Sequence, residues 1–155
     1  MKVSDVMTEN VFTVTPETRL EVAANRMLEY GVSGLPVVDD GRVVGVLSET
    51  DILYKECARQ PERDGLVDWI AHYPDDPPGG KLDARTVGQA MTTPAVTVAP
   101  ERSLADAVAL MLDLGIDRLP VVSGGFLAGI LTRTDVVRAF AAAACDMRVA
   151  AGAGA

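Results

Sequence analysis

The chain has 155 residues, 48% of them apolar and 23% charged, a balance that argues against disorder over its whole length. No run of eighteen uncharged apolar residues occurs, so no membrane-spanning helix is expected, and no secretory signal is read at the start. The net charge of −8, from 22 acidic against 14 basic side chains, repels phosphate backbones; no nucleic-acid partner is expected, although a local basic pocket for a small anion is allowed.

A short strand is expected over 11–14. Leu20, Ala23, Ala24, Met27 and Leu28 then follow the spacing of one helical face. Thr18 and Glu21 have the spacing of a capping box at the start of that helix, and Gly31 stands where a left-handed cap ends it. A strand follows over 35–38. Asp39-Asp40-Gly41 makes a hairpin turn, 43–47 returns as a strand, and a second helix starts near Ser48. The connector over 54–86 carries Leu66, Trp69, Ile70 and Tyr73 at helical spacing, then a Pro- and Gly-rich loop over 74–80. From there the order is run through again. A strand is expected over 96–98, and a helix carries Leu104, Ala107, Val108, Met111 and Leu112. Ser103 and Asp106 have capping-box spacing, and Gly115 is the cap that ends the helix. The turn Ser123-Gly124-Gly125 precedes a strand over 126–131, and a last helix starts near Thr132. It can continue over 141–144, while the alternating Ala and Gly of 150–155 fray.

The second half therefore repeats the first. Shifting the sequence by 84 positions lays 3–53 on 87–137 without a gap, with 21 of 51 positions identical. Met7-Thr8 falls on Met91-Thr92, Pro16-Glu17 on Pro100-Glu101, and Thr50-Asp51 on Thr134-Asp135. Leu35-Pro36-Val37-Val38 falls on Leu119-Pro120-Val121-Val122. A unit of about 50 residues struggles to bury its apolar face alone, so the two copies are expected to pack on each other. The expected class is α+β, an α/β sandwich of two strand-helix-strand-strand-helix repeats related by a pseudo-two-fold. The expected division is 1–60 for the first repeat, 61–86 for the inter-repeat helix and loop, 87–145 for the second repeat and 146–155 for the tail.

Ser48-x-x-Asp51 and Thr132-x-x-Asp135 lie where a strand hands over to a helix. A hydroxyl followed three residues later by a carboxylate suits helix capping. The same carboxylate can accept hydrogen bonds from both hydroxyls of a ribose, beside N–H groups that hold an anion. Both readings stay open on the motif alone. Gly45 and Gly129 interrupt strands and mark either the close approach of a ligand ring or a bulge. The copies differ in charge: Gly34 aligns with Arg118 and Glu49 with Arg133, and arginine forks match phosphate oxygens. No nucleophile–base pair is visible, and no enzymatic activity is expected. His72 reads as packing near Trp69 and Tyr73, and Asp75 and Asp76 as solvated loop acids. Cys57 and Cys145 are too few for a disulfide framework. Together with His72 they lack the paired spacings of a zinc site, so no metal is expected and a reduced cytoplasmic protein is.

The repeated M-T … T-V-x-P-E … G-[VI]-x-x-L-P-V-V … G-[VI]-L-[ST]-x-T-D pattern resembles a tandem pair of CBS domains, also called a Bateman module, over about 102 residues. The resemblance implies a stand-alone regulatory module that requires no cofactor. It implies binding of an adenosine-containing ligand such as AMP, ADP, ATP, S-adenosylmethionine or NAD in clefts between the repeats, and signalling to an unknown effector protein. A ligand-free dimerisation module is the alternative. By the same resemblance Asp51 and Asp135 would hold ribose hydroxyls, with Ser48 and Thr132 assisting. Val46 and Ile130 would pack on the adenine, whose edge the backbone of Ser33, Gly34, Leu35 and Pro36, and of Asp117, Arg118, Leu119 and Pro120, would read. Arg118, with Arg133 bordering the same cleft, would contact phosphate, which makes the Asp135 side the expected phosphate-bearing one. A homodimer is expected through a last-helix stripe of Val136, Val137, Phe140, Ala141 and Ala144.

Overall fold

The computed structural model describes residues 1–57 and 86–152. The readings made for Leu66, Trp69, Ile70, His72, Tyr73, Asp75, Asp76 and the 74–80 loop lie outside them, as do the side chains of Cys57 and Cys145. The elements are α1 (Leu20–Tyr30), β1 (Gly34–Asp39), β2 (Arg42–Ser48), α2 (Glu49–Cys57), α3 (Val87–Ala90), α4 (Leu104–Leu114), β3 (Arg118–Ser123), β4 (Phe126–Thr132) and α5 (Arg133–Gly152). A 3-10 turn at Val3–Asp5 precedes them.

Two compact units form. One comprises Phe12–Asp39 and Val44–Pro94, built around the first repeat. The other comprises Met1–Val11, Asp40–Val43 and Ala95–Ala155, built around the second. Each unit thus takes the Met-Thr segment that stands in sequence ahead of the other repeat's helix. The pairing is by backbone: Thr92 N donates to Val46 O and Val46 N to Thr92 O at 2.9 and 3.1 Å, while Thr8 N and Ile130 N exchange the same bonds at 2.9 Å each.

In the first unit the core is Val14, Leu20, Ala23, Met27, Leu35, Val37, Leu47, Val87 and Ala90. In the second it is Val3, Val98, Ala107, Met111, Leu119, Val121 and Leu131. Both are the apolar face of a helix laid on strand side chains, as the periodicities require. The last positions assigned to the helical faces are corrected: Leu28 is 78% exposed and Leu112 is 70% exposed. Eight residues of helix turn through about 80° beyond two full turns, which carries the side chain off the buried stripe.

The strands expected over 11–14 and 96–98 shrink to single parallel bridges, Val14 with Val37 and Val98 with Val121. Gly31 and Gly115 end their helices with φ of 63° and 62°, the left-handed geometry that glycine adopts without a Cβ clash. Both hairpin turns place two successive residues at positive φ, Asp40-Gly41 and Gly124-Gly125, as a two-residue turn of the I′ kind demands.

Helix α4 starts as expected, with Asp106 N donating to Ser103 Oγ at 3.1 Å. Helix α1 does not. Its N-cap is Arg19, without a side-chain cap, and Thr18 Oγ1 instead accepts from Thr15 N at 3.0 Å. Arg19, not Thr18, aligns with Ser103, so the first repeat lacks the capping hydroxyl, and Glu21 pairs with Arg19 at 2.7 Å. Helix α5 runs on to Gly152, into the tail expected to fray. No described helix is long and apolar enough to cross a membrane.

Candidate functional site

The same short circuit closes the strand-to-helix joint in both repeats. At the β2–α2 joint, Asp51 Oδ2 accepts from Ser48 N at 2.7 Å and from Ser48 Oγ at 2.6 Å, and Asp51 N donates back to Ser48 Oγ at 3.1 Å. At the β4–α5 joint, Asp135 Oδ2 accepts from Thr132 N at 2.8 Å and from Thr132 Oγ1 at 2.6 Å, and Asp135 N donates to Thr132 Oγ1 at 3.3 Å. The capping role is therefore real in both. It engages one carboxylate oxygen and leaves the other turned to its surroundings.

That second oxygen distinguishes the repeats. Asp51 Oδ1 accepts from Thr92 Oγ1 at 2.8 Å, and among the residues whose side chains are described no cation is paired with it. Asp51 is half-buried. Asp135 is 5% exposed, a buried charged side chain. Its Oδ1 accepts from Thr8 Oγ1 at 3.4 Å and from Arg138 Nη1 at 3.1 Å. A buried carboxylate requires such compensation, because its lost hydration is costly unless hydrogen bonds and a counter-charge replace it. Thr8, Thr92 and Arg138 are site residues that the motif reading missed. The signal for the two threonines was present in the repeated Met-Thr dipeptide; the signal for Arg138 was its charge, three residues past an acid on one helix face.

The remaining residues divide by position. Leu35, Pro36, Leu119 and Pro120 are fully buried, and the two leucines belong to the cores. Pro36 O accepts from Val14 N at 3.2 Å and Pro120 O from Val98 N at 3.1 Å. Ser33 O and Asp117 O accept from Glu49 N and Arg133 N, both at 3.1 Å, tying the strand entry to the first turn of the following helix. Val46 is half-buried, Ile130 is buried, and both backbones are engaged by the Met-Thr segments. Gly34 is buried at the start of β1 and Arg118 is half-buried at the start of β3. Arg133 pairs with Asp117 at 2.8 Å on the surface.

The strand glycines have a specific cause. A Cβ on Gly45 would lie 2.9 Å from Thr92 O and 2.6 Å from Met91 Sδ; one on Gly129 would lie 2.8 Å from Thr8 O and 2.9 Å from Met7 Sδ. The chain that approaches these strands is the protein's own Met-Thr segment, so neither a ligand ring nor a bulge is needed to account for Gly45. In the β3–β4 ladder a register shift falls between Val121 and Val122, whose partners are Gly129 and Leu127, so a bulge does adjoin Gly129.

The CBS domain family profile matches residues 3–56 and 87–142. The chain belongs to the CBS-domain family. Its two CBS repeats make it similar to the chloroplastic CBS domain-containing protein CBSX2 of Arabidopsis thaliana, at 37% identity over 88% of this chain and 62% of that protein. The CBS domain-containing protein YhcV of Bacillus subtilis is 33% identical over 86% of this chain and 81% of its own length. This CBS pair thus spans somewhat under two thirds of CBSX2. The crystal structure of CBSX2 in complex with AMP superposes with a TM-score of 0.69 and 35% identity, covering 89% of this chain and 94% of the other. The tandem CBS fold, mixed helix and antiparallel sheet, follows from both comparisons.

Proposed function

We propose that the chain is a regulatory, non-enzymatic module that binds an adenosine-containing ligand, AMP foremost, and passes its occupancy to an effector protein. The observation that carries this reading is the Asp51 carboxylate. It is locked in orientation through Oδ2 by Ser48, and Oδ1 holds one hydroxyl donor. A carboxylate has about four acceptor positions and three are taken, so the arrangement retains one on Oδ1 for a ribose hydroxyl. The AMP complex of the 35%-identical CBSX2 supports the choice of ligand. S-adenosylmethionine, which presents the same ribose with less negative charge, is the competing ligand.

In this reading Asp51 and Ser48 hold the ribose, Val46 offers an apolar contact to the base, and Ser33, Gly34, Leu35 and Pro36 contribute backbone. The buried side chains of Leu35 and Pro36 act only by holding that backbone in place. Asp117, Arg118, Leu119, Pro120, Ile130, Thr132, Arg133 and Asp135 are the counterparts in the second repeat, with Arg118 and Arg133 as candidate phosphate contacts. The Arg133–Asp117 pair is exposed and worth at most about 1 kcal/mol, so a phosphate can compete for that guanidinium. A cytoplasmic setting and a homodimer complete the proposal.

Titration calorimetry and thermal unfolding with AMP, ADP, ATP and S-adenosylmethionine test it. AMP is expected to raise the unfolding midpoint by mass action. Asp51→Asn should weaken AMP about ten- to a hundredfold, because a ribose hydroxyl loses its charged acceptor. Neither heat nor a midpoint shift with any of the four ligands would overturn the nucleotide reading in favour of a ligand-free dimerisation module.

A further inference from the structure

We infer that Arg138 closes the second repeat's carboxylate to nucleotide, so that each chain takes one AMP, at Asp51. The inference rests on the reading of these carboxylates as ribose acceptors and adds which of the two is open.

The two joints share their local geometry and differ in what occupies Oδ1. At Asp135 that oxygen accepts from Arg138 Nη1 at 3.1 Å and from Thr8 Oγ1 at 3.4 Å, while Oδ2 is taken by Thr132. Two donors on each oxygen fill the usual acceptor capacity of a carboxylate. At Asp51 the Oδ1 partner is Thr92, and among the residues whose side chains are described no cation stands in the place of Arg138. The repeat shift explains why: position 138 falls on Tyr54, which carries no charge.

Charge makes the occupation hard to reverse. Asp135 is nearly excluded from water, whereas Arg138 reaches it from a side chain that is 72% exposed. A ribose diol that displaced the guanidinium would bring two neutral donors and leave a buried carboxylate without its counter-ion. A charge-assisted hydrogen bond is about twice as strong as a neutral one. At Asp51 an incoming ribose hydroxyl meets no such competitor among the residues whose side chains are described. The arginines of the second repeat therefore do not simply mark a phosphate site, since Arg133 faces Asp117 and Arg138 silences the acid that would anchor the nucleoside.

The stoichiometry of AMP binding by the full chain tests this. The unmodified chain is expected to bind one AMP, and Asp51→Asn should abolish that equivalent or weaken it at least tenfold. Arg138→Met keeps a helix-forming side chain of similar length but removes the donor, and should raise the stoichiometry from one to two. Arg138→Lys, which retains the positive charge, should leave it at one. Two equivalents on the unmodified chain, or one that survives Asp51→Asn at full affinity, would overturn the inference while leaving nucleotide binding intact. One equivalent in a folded Arg138→Met would do the same. If Arg138→Met fails to fold, Asp51→Asn still decides which carboxylate is open, and Arg138→Gln, which loses the charge, should raise the stoichiometry to two. Absence of any AMP binding to the unmodified chain would remove the nucleotide reading and this inference together.

Discussion

Ser48 and Thr132 each donate to an aspartate oxygen and accept from the same aspartate's backbone N–H. The hydroxyl therefore belongs to the fold before any ligand arrives. Ser48→Ala should cost about 0.5–2 kcal/mol, the usual loss for a capping hydroxyl, and Thr132→Ala the same or more because Asp135 is buried. For a chain of this size each kcal/mol lowers the unfolding midpoint by about 2–4 °C, which calorimetry reads directly. A change below 1 °C in both variants would mean that the circuit is not formed in solution. At this scale the sequence was informative about residue type and blind to partners. The S/T-x-x-D spacing is local, so both the capping and the binding reading could be drawn from it. Thr92 lies 41 residues from Asp51 and Thr8 lies 127 from Asp135, and no spacing rule spans such separations. Arg138 was within reach of a local rule, because i and i+3 on a helix are neighbours.

At the scale of the elements, the glycines in β2 and β4 record a backbone crossing. The Met-Thr segments run over the strand so closely that a Cβ at position 45 would meet the carbonyl oxygen of Thr92 at 2.9 Å as well as the sulfur of Met91 at 2.6 Å. The methionine can swing aside; the carbonyl is held by its bond from Val46 N at 3.1 Å. Gly45→Ala should therefore destabilise the chain by about 1–3 kcal/mol, as overpacking does. Adding Met91→Ala should not restore the loss, since it removes the soft obstacle and keeps the rigid one. Full recovery in the double variant, measured by denaturant unfolding, would show that the sulfur alone sets the constraint. The helices, hairpins and left-handed caps were legible because each is written in residues a few positions apart. The N-cap of α1 misled because Thr18 satisfies the spacing while Arg19 occupies the position. The close approach at Gly45 required knowing what crosses it, which periodicity does not encode.

At the scale of the whole molecule, the repeat itself hides the chain's path. Val46 and Ile130 occupy equivalent places, so the Met-Thr segment at 7–8 and the one at 91–92 face the same choice of strand. Sequence rules are degenerate between the two pairings, and only the folded chain shows that residues 1–11 join the unit of the second repeat. The surface poses a similar question. The expected stripe on the last helix splits in two: Val136 packs into its own core, whereas Val137 and Phe140, three residues apart on one face of α5, are 65% and 75% exposed. Phe140 alone leaves a large apolar side chain in water at a cost that burial against a second surface would remove, on the order of 1.5–3 kcal/mol for a fully buried ring. In the proposed homodimer a second copy of the chain would supply an equal apolar face, and a two-fold contact would let the same pair bury itself twice. The chain should accordingly behave as a homodimer of twice 16.3 kDa in light scattering at micromolar concentration. Val137→Lys with Phe140→Lys should shift it to monomer, since both charges would be carried into the contact unpaired. Because neither side chain contributes to a core, the circular dichroism spectrum of the monomer should stay native. A monomer from the outset, or a dimer indifferent to both lysines, would place the contact elsewhere than on this face of α5.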